Sequence, residues 1–187
     1  VGVEAARAAV DCAVGIHCHN DTDMAVANTL IGVQAGASQV QACVNGWGER
    51  TGNASMMSVI PNLKLKLGLD VVTDEQLGRL TETALFATEL ANLNLDPQQP
   101  YVGSGAFAHK AGLHVAAITK SPGSYTHVDP NAVGNQERVL VSELSGRRNV
   151  LEKLREQGVA VELTDAEATR ALTEVKEQEA RGYQFES

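Results

Sequence analysis

Two histidines separated by one residue carry the clearest chemical signal in this 187-residue sequence. His17 and His19 end a short apolar, partly β-branched stretch, which is typical of a buried strand. Because side chains two apart on a strand point to the same face, both imidazoles should project together while Cys18 faces the other way. The two imidazoles could form half of a metal site, or they could be polar groups that bond to neighbouring backbone. The spacing alone leaves both interpretations open.

A glycine-rich loop follows the next predicted strand. This loop, Asn45–Asn53, has three glycines in nine residues, so its backbone can approach a ligand closely. It matches neither a Walker A loop nor a GxGxxG motif. Asn53 opens the following predicted helix and could either cap that helix or ligate a metal, and capping is the commoner use. Glu49 and Arg50 could pair with each other.

A third group of candidate residues lies in the second half of the chain. His114 belongs to the segment HKAGLH, and Tyr125 follows it eleven residues later. A histidine and a tyrosine that lie close together can transfer a proton. More often, such residues sit in a surface turn.

These residues need a scaffold, and the pattern predicts alternating helices and strands around the first two groups. The predicted elements are the end of a helix over Val3–Ala13, a strand over Ala13–His19, a helix from Met24 to Gly36, a strand over Gln39–Val44 and a helix over Met56–Leu67. Asn20 and Asp21 offer N-cap chemistry for the second helix, and Asp21 and Asp23 are expected to be its N-cap and first-turn acids. The short connections favour a right-handed parallel βα pair.

Residues 71–187 are predicted to form mainly helical linker subdomains, after an α/β portion at residues 1–70. A capping box at Thr73 and Gln76 predicts a helix that buries one face. Its buried face is expected to contain Leu77, Leu80, Ala84 and Ala91. Residues 94–104 contain two prolines and are typical of a linker. Further helices are predicted over Asn149–Gln157 and after the capping box of Thr164 and Glu167.

The number of strands leads to an expectation about completeness. Two parallel strands alone have two open edges and too little core, since parallel sheets are stable when larger and covered on both faces. We therefore expect residues 1–70 to be the end of a larger α/β sheet, and the chain to be a fragment.

Composition excludes several classes of function. The chain has 15 Lys+Arg against 23 Asp+Glu, a net charge of −8, which argues against nucleic-acid binding and against an anionic membrane surface. No apolar run approaches the ~20 residues that cross a bilayer. Three cysteines without CxxC spacing favour a reduced, cytoplasmic setting.

Taken together, these motifs resemble a known family, the 2-isopropylmalate, homocitrate and citramalate synthases of the DRE-TIM metallolyases. Its catalytic barrel ends in a sequence similar to GIHCHNDTDMAVANTLIGVQAGASQVQACVNGWGERTGN. The downstream part of its citramalate synthase branch resembles AFAHKAGLHVAAITKSPGSYTHVDPNAVGN, LVSELSGRRN and RGYQFE. The resemblance covers essentially the whole chain. It implies the last two βα units of a TIM barrel, followed by a mainly helical linker region.

The resemblance also implies a role for individual residues. His17, His19 and Asn53 match the family's metal ligands, for Mg, Mn or Zn. His114 matches the histidine that activates the acetyl group, Tyr125 its tyrosine partner, and Glu49 a residue that orients the site. In the family, the histidine and tyrosine reach a neighbouring barrel across a homodimer. The family's metal-ligating Asp and catalytic Arg lie on the first barrel strand and have no counterpart here, so the isolated chain is expected to be inactive.

The implied reaction is a Claisen condensation of acetyl-CoA with a 2-oxo acid, pyruvate in the citramalate branch. The alternatives are 2-isopropylmalate synthesis from 2-oxoisovalerate, or a non-catalytic fragment. Hydroxymethylglutaryl-CoA lyase shares the barrel and the HxH motif. That lyase is expected to carry a cysteine in the glycine-rich loop, and Asn45–Asn53 has none.

Overall fold

The computed structural model describes residues 2–109, 126–139 and 164–183. Contacts divide the chain into two units, Val1–Ala106 with Asn131–Asn135, and Phe107–Pro130 with Gln136–Ser187. The first unit contains α1 (Gly2–Ala9), β1 (Gly15–His17), α2 (Ala25–Gln34), β2 (Gln39–Gln41), α3 (Met56–Pro61), α4 (Asp74–Leu77) and α5 (Leu80–Ala91). The described part of the second unit contains β3 (Ala108–His109), β4 (Arg138–Val139) and α6 (Asp165–Ala180). The domain boundary after residue 70 stays a prediction.

The first two strands form the parallel pair that the pattern predicts. β1 and β2 pair in parallel, with Ile16 opposite Val40 and His17 opposite Gln41. Val40 packs against a core of Ala25, Ala54, Val59 and Leu63, to which α2, α3 and the chain on both sides of α3 contribute. A Cβ at Gly32 of α2 would overlap the Ile16 side chain, so this glycine permits the close approach of helix to strand. The opposite face carries the polar residues.

The second strand and the third helix are shorter than predicted. β2 stops at Gln41, and a 3₁₀ turn over Val44–Gly46 replaces the last predicted strand residue. Asn45 in this turn adopts a left-handed conformation, φ 54°, which no strand accommodates. α3 ends at Pro61 and continues as a π-helical turn, Asn62–Lys66. Proline cannot donate to the helical ladder, which accounts for the change at this point.

The predicted capping box at Thr73 is present, but one long helix after it is not. The Gln76 side chain accepts from the Thr73 N–H (2.9 Å), and the Thr73 hydroxyl accepts from the Gln76 N–H (3.1 Å). α4 then ends after a single turn, and α5 starts at Leu80. Three residues of the predicted buried face are buried, namely Leu77, Leu80 and Ala84. Ala91 is exposed, because α5 ends there at a left-handed Asn92.

The expectation of a linker at residues 94–104 is wrong. The segment forms a packed turn that buries Tyr101 (4% exposed) and Val102 (2% exposed). Its glycine N–H groups bond within the turn, from Gly103 to the Gln99 carbonyl (2.9 Å) and from Gly105 to the Pro97 carbonyl (2.7 Å). Proline and glycine here build a tight turn, because these backbone groups are satisfied locally.

The described part of the second unit is small. β3 and β4 pair in parallel, with Ala108 opposite Arg138. The predicted capping box at the start of α6 is present: Glu167 accepts from the Thr164 N–H at 2.8 Å, and Ala168 is buried. The helix predicted over Asn149–Gln157 lies outside the described residues. Within the described ranges, no helix combines the length and apolar character needed to cross a membrane.

Candidate metal centre

The two histidines lie side by side at the carboxyl end of β1. His17 and His19 are both exposed, and their ring centroids are 5.0 Å apart in an edge-to-face arrangement. Cys18 packs on the opposite side against the apolar core. The alternation predicted from the sequence is therefore confirmed, and the spacing is compatible with two imidazoles sharing one cation.

The glycine-rich loop ends with Asn53 lying next to His19. Asn53 forms an antiparallel bridge with His19. The chain beyond it is tied to both strands, since the Ala54 N–H donates to the Cys18 carbonyl (3.0 Å) and the Cys43 N–H donates to the Ala54 carbonyl (3.0 Å). Residues directly opposite in an antiparallel pair present their side chains to the same face. Asn53 therefore belongs to the face that carries His17 and His19.

Backbone geometry explains why the loop closes on this point. The Asn53 N–H donates to the Gly46 carbonyl (2.9 Å), and the Gly52 N–H donates to the Glu49 carbonyl (3.0 Å). Gly52 has φ +87°, and a Cβ there would overlap the Gly46 carbonyl oxygen. Only glycine combines this conformation with this approach. The loop is thus held by main-chain bonds inside itself.

The Asn53 side chain has an acceptor that nothing in the described structure uses. Its Nδ2 donates to the Cys43 Sγ (3.1 Å), while its Oδ1 is buried without a hydrogen-bond partner among the described residues. The expectation that Asn53 caps the next helix is wrong, because α3 starts later and Ser55 takes the N-cap position. A buried acceptor without a partner costs about 1–3 kcal/mol, and a bound cation would remove that cost. Two imidazoles and one amide oxygen also suit a divalent cation.

An ion pair links the histidine segment to the loop. The Arg50 guanidinium donates two hydrogen bonds to the Asp21 carboxylate, at 2.6 and 2.8 Å. These bonds hold the pKa of the Asp21 carboxyl below its ordinary value. The expectation that Asp21 is the helix N-cap is therefore wrong. Asn20 does part of that work, since its Oδ1 accepts from the Ala25 N–H (3.1 Å).

The other two acids near the centre make local contacts. Asp23 has φ 59° and accepts from the Asn20 amide (3.2 Å), so it is not a first-turn helix acid. Glu49 has a side chain that is 86% exposed, and it lies 3.8 Å from Arg50. Glu49 therefore pairs with Arg50 over a longer distance than Asp21 does.

A polar cavity of about 370 Å³ adjoins Asn53. It lies between the loop and the packed turn, and its lining includes Asn20, Trp47, Asn53 and Gln99. Gln99 also bridges the two segments by donating to the Asn45 Oδ1 (3.4 Å). Concave sites with a few polar groups are the usual places for small ligands.

Two predicted site residues belong to parts of the chain that the structure does not describe. His114 and Tyr125 lie outside the described residues, so their roles stay predictions. Within the described ranges, no group of three or more His, Cys, Asp or Glu side chains could hold a metal. A centre of two histidines and an asparagine contains only two such side chains.

Sequence reasoning passed over two residues of this face, Gln41 and Cys43. Gln41 lies opposite His17 in the strand register and is exposed. Cys43 contacts the Asn53 amide. The signal that could have found them is the two-residue alternation along Gln39, Gln41 and Cys43, which continues the polar face of the sheet.

Two family models match the chain in succession. Residues 3–86 match the HMGL-like family, and residues 101–182 match the homocitrate synthase post-HMGL domain-like family. Both matches fit the resemblance expected from the motifs. The first family also accounts for an α/β fold with a parallel strand pair.

The chain is also similar to curated enzymes. It is 49% identical to the (R)-citramalate synthase of Aquifex aeolicus, over 95% of this chain and 34% of that enzyme. It is 48% identical to the (R)-citramalate synthase of Geobacter sulfurreducens, over 96% of this chain and 34% of that enzyme. Identity to the 2-isopropylmalate synthase of Sulfolobus acidocaldarius is 40%, over 89% of this chain and 42% of that enzyme. The chain thus spans about a third of the length of the two citramalate synthases.

Proposed function

Because this chain belongs to the family of the 2-isopropylmalate, homocitrate and citramalate synthases, we propose that it carries metal-binding and acetyl-activating residues of an enzyme that condenses acetyl-CoA with pyruvate to give (R)-citramalate. One observation carries the metal site. The buried Oδ1 of Asn53 has no partner in the described structure, and Asn53 lies opposite His19 on the face that holds His17.

His17, His19 and Asn53 are the residues that would hold the divalent cation, Mg, Mn or Zn. When bound, the cation would polarise the keto group of the 2-oxo acid and stabilise the negative charge that develops on its oxygen. The cavity beside Asn53 offers polar side chains to a small ligand.

Activation of the acetyl group is assigned to His114 and Tyr125, because of the family resemblance. In this scheme His114 takes a proton from the acetyl-CoA methyl group, and Tyr125 holds the imidazole by a hydrogen bond. The resulting carbanion attacks the keto carbon of pyruvate. Water then hydrolyses the thioester and releases free CoA. Both residues would serve the barrel of a second subunit in a cytoplasmic homodimer, and Glu49 would help to orient the site.

Pyruvate is favoured over other 2-oxo acids by the relatives. Identity is 44–49% to five (R)-citramalate synthases and 39–40% to two 2-isopropylmalate synthases. Synthesis of 2-isopropylmalate from 2-oxoisovalerate is the second candidate.

The test is the release of CoA by the purified full-length enzyme, in which this chain is joined to an upstream barrel portion, because the isolated chain is expected to be inactive. Acetyl-CoA is supplied with pyruvate, 2-oxoisovalerate or 2-oxoglutarate, in the presence of Mg²⁺, Mn²⁺ or Zn²⁺, and free thiol is measured. We expect the highest kcat/KM with pyruvate. A preference for 2-oxoisovalerate would reassign the enzyme to the second candidate, and no CoA release with any of the three acids would overturn the proposal.

The metal ligands are tested separately from the reaction. His17→Ala and His19→Ala should abolish binding of Mn²⁺, measured by electron paramagnetic resonance. His127→Ala is the matched control, because His127 stacks on Phe107, in the other contact unit. Unchanged Mn²⁺ stoichiometry in both His17→Ala and His19→Ala would remove these histidines from the site.

A further inference from the structure

The carboxamide of Asn53 is constrained by two residues that have no role in the proposed reaction. Its Nδ2 donates to the Cys43 Sγ at 3.1 Å. Gly48 also lies against the amide. A Cβ built on Gly48 would come within 2.6 Å of Nδ2, 2.8 Å of Cγ and 3.0 Å of Oδ1, and all three atoms belong to the same amide.

We propose that Cys43 and Gly48 are positioning residues that set the orientation of the Asn53 carboxamide and leave its Oδ1 free to bind the cation. This inference rests on the proposed metal site. An amide has two ends of similar shape but opposite hydrogen-bonding character. In this structure the amide turns its nitrogen towards the Cys43 sulfur, which directs Oδ1 away from the sulfur. Because Gly48 has no side chain, the Asn53 amide can occupy the space where a Cβ of residue 48 would lie.

The geometry allows this positioning role to be distinguished from a contribution to packing. Gly48 has no positive φ, so an alanine there meets no backbone strain and its methyl group collides only with the end of a side chain. The Asn53 amide can move away at little cost in stability, but Oδ1 then moves with it. Likewise, Cys43→Ala removes a weak sulfur acceptor and a modest volume. Both changes should displace a ligand while leaving the fold intact.

The experiment measures the dissociation constant of Mn²⁺ for the whole protein, together with the free energy of unfolding in urea. Loss of a group that orients a metal ligand typically weakens binding 10–100-fold. We expect a loss of about 10-fold or more for both Cys43→Ala and Gly48→Ala. Cys43→Ser restores an acceptor for Nδ2 and should recover most of the affinity, which a loss of packing would not do.

Two control variants match these changes elsewhere in the chain. Cys12 is exposed and is not the sulfur that contacts the Asn53 amide, so Cys12→Ala removes a thiol without changing that contact. Gly78 has φ −61° and ordinary contacts at 3.5 Å for an added Cβ, so Gly78→Ala adds a methyl group without a collision. Both controls should bind Mn²⁺ as the unchanged protein does.

The outcomes distinguish this inference from the proposed function. If His17→Ala abolishes Mn²⁺ binding but Cys43→Ala and Gly48→Ala stay within about twofold of the unchanged protein, the positioning role is wrong and the metal site stands. If His17→Ala leaves Mn²⁺ binding unchanged, the metal site fails and the inference fails with it. Should Cys43→Ala lose stability, Gly48→Ala still decides the matter, because it displaces the amide without removing the sulfur.

Discussion

Two neighbouring segments of the first unit are each organised around an asparagine, and the two side chains are treated in opposite ways. Asn135 donates from its Nδ2 to the carbonyls of Tyr101 (2.9 Å) and Gly103 (3.0 Å), so it fastens the packed turn. The Asn53 side chain donates to the sulfur of Cys43, and its buried Oδ1 has no partner in the described structure. Both segments contain glycines and tight backbone bonds, yet only the glycine-rich loop leaves a polar atom unsatisfied.

If Asn53 binds the cation as proposed, the difference separates stability from binding within this unit. The packed turn uses its asparagine to satisfy backbone groups that folding has buried, which favours the folded state. The loop holds its shape through its own main chain, so the Asn53 side chain is free for another use. The two segments touch through Gln99 and Asn45, so the stable one supports the other.

The largest expected effect comes from removing each asparagine in turn. Asn53→Ala should weaken Mn²⁺ binding by at least about 100-fold, the upper end of what loss of a supporting group costs, because it removes a ligand itself. Its free energy of unfolding should change by less than about 1 kcal/mol, since an unpaired acceptor is lost together with a weak bond. Titration with Mn²⁺ and urea denaturation measure the two quantities.

Asn135→Ala should show the reverse pattern. It leaves the Tyr101 and Gly103 carbonyls without this donor, which should lower the free energy of unfolding by about 2–3 kcal/mol. Mn²⁺ affinity should stay within about twofold of the unchanged protein. If Asn53→Ala proved the more destabilising of the two, the contrast between the segments would be lost.

The second prediction, with a smaller expected effect, compares Gly52 of the glycine-rich loop with Gly103 of the packed turn. Gly52→Ala forces a positive φ on alanine and a collision with the Gly46 carbonyl, and Gly103→Ala brings a methyl group within 2.7 Å of the Gln99 nitrogen. We expect each variant to lose about 1–3 kcal/mol of stability. Only Gly52→Ala should also weaken Mn²⁺ binding, because the Gly46 carbonyl it disturbs is the one that holds the Asn53 N–H. Equal Mn²⁺ affinities in the two variants would show that loop closure does not position Asn53.

The parts of this structure that local sequence could predict are those built from local contacts. Both capping boxes depend on residues three apart, and both are present. The strand alternation that places His17 and His19 on one face is equally local. These features depend on short windows of sequence and on the periodicity of helices and strands.

Several of the errors concern partners that lie far along the chain. Asp21 was expected at a helix end, but its partner Arg50 is 29 residues away. The packed turn was expected to be a linker, and the side chain that fastens it, Asn135, lies 34 residues beyond Tyr101. For Asn53, spacing alone favours a helix cap over a metal ligand, whereas its amide contacts a cysteine sulfur ten residues earlier. No short window of sequence contains both members of these pairs.

A third prediction concerns alkaline pH, which should weaken the packed turn. Burial raises the pKa of the Tyr101 hydroxyl above its ordinary value. Below about pH 10 the phenol is neutral in both the folded and the unfolded chain, so stability does not depend on it. As the pH rises further, the unfolded chain loses this proton first, and the free energy of unfolding falls until the folded pKa is passed. Urea denaturation between pH 8 and 11 should show this decline.

The control for this titration is a pair of tyrosine variants. Tyr101→Phe should remove part of the decline, whereas Tyr183→Phe should leave it unchanged, because Tyr183 is 63% exposed. An identical decline in both variants would mean that another group is responsible. Mn²⁺ affinity at pH 8 should be the same in both, as expected if the packed turn only supports the loop.

The smallest effect is expected from the ion pair that joins the loop to the histidine segment. The Asp21 and Arg50 side chains are 47% and 53% exposed, so solvent screens their attraction. In a double-mutant cycle of Asp21→Asn, Arg50→Gln and the combined variant, the coupling in unfolding free energy should be small and should vanish near 1 M salt. The loop should keep its position without the pair, since the main-chain bonds of Gly46, Gly52 and Ala54 remain, and Mn²⁺ affinity should change less than about threefold. A coupling that persists at high salt, with a large loss of Mn²⁺ affinity, would show instead that charge holds the loop against the histidines.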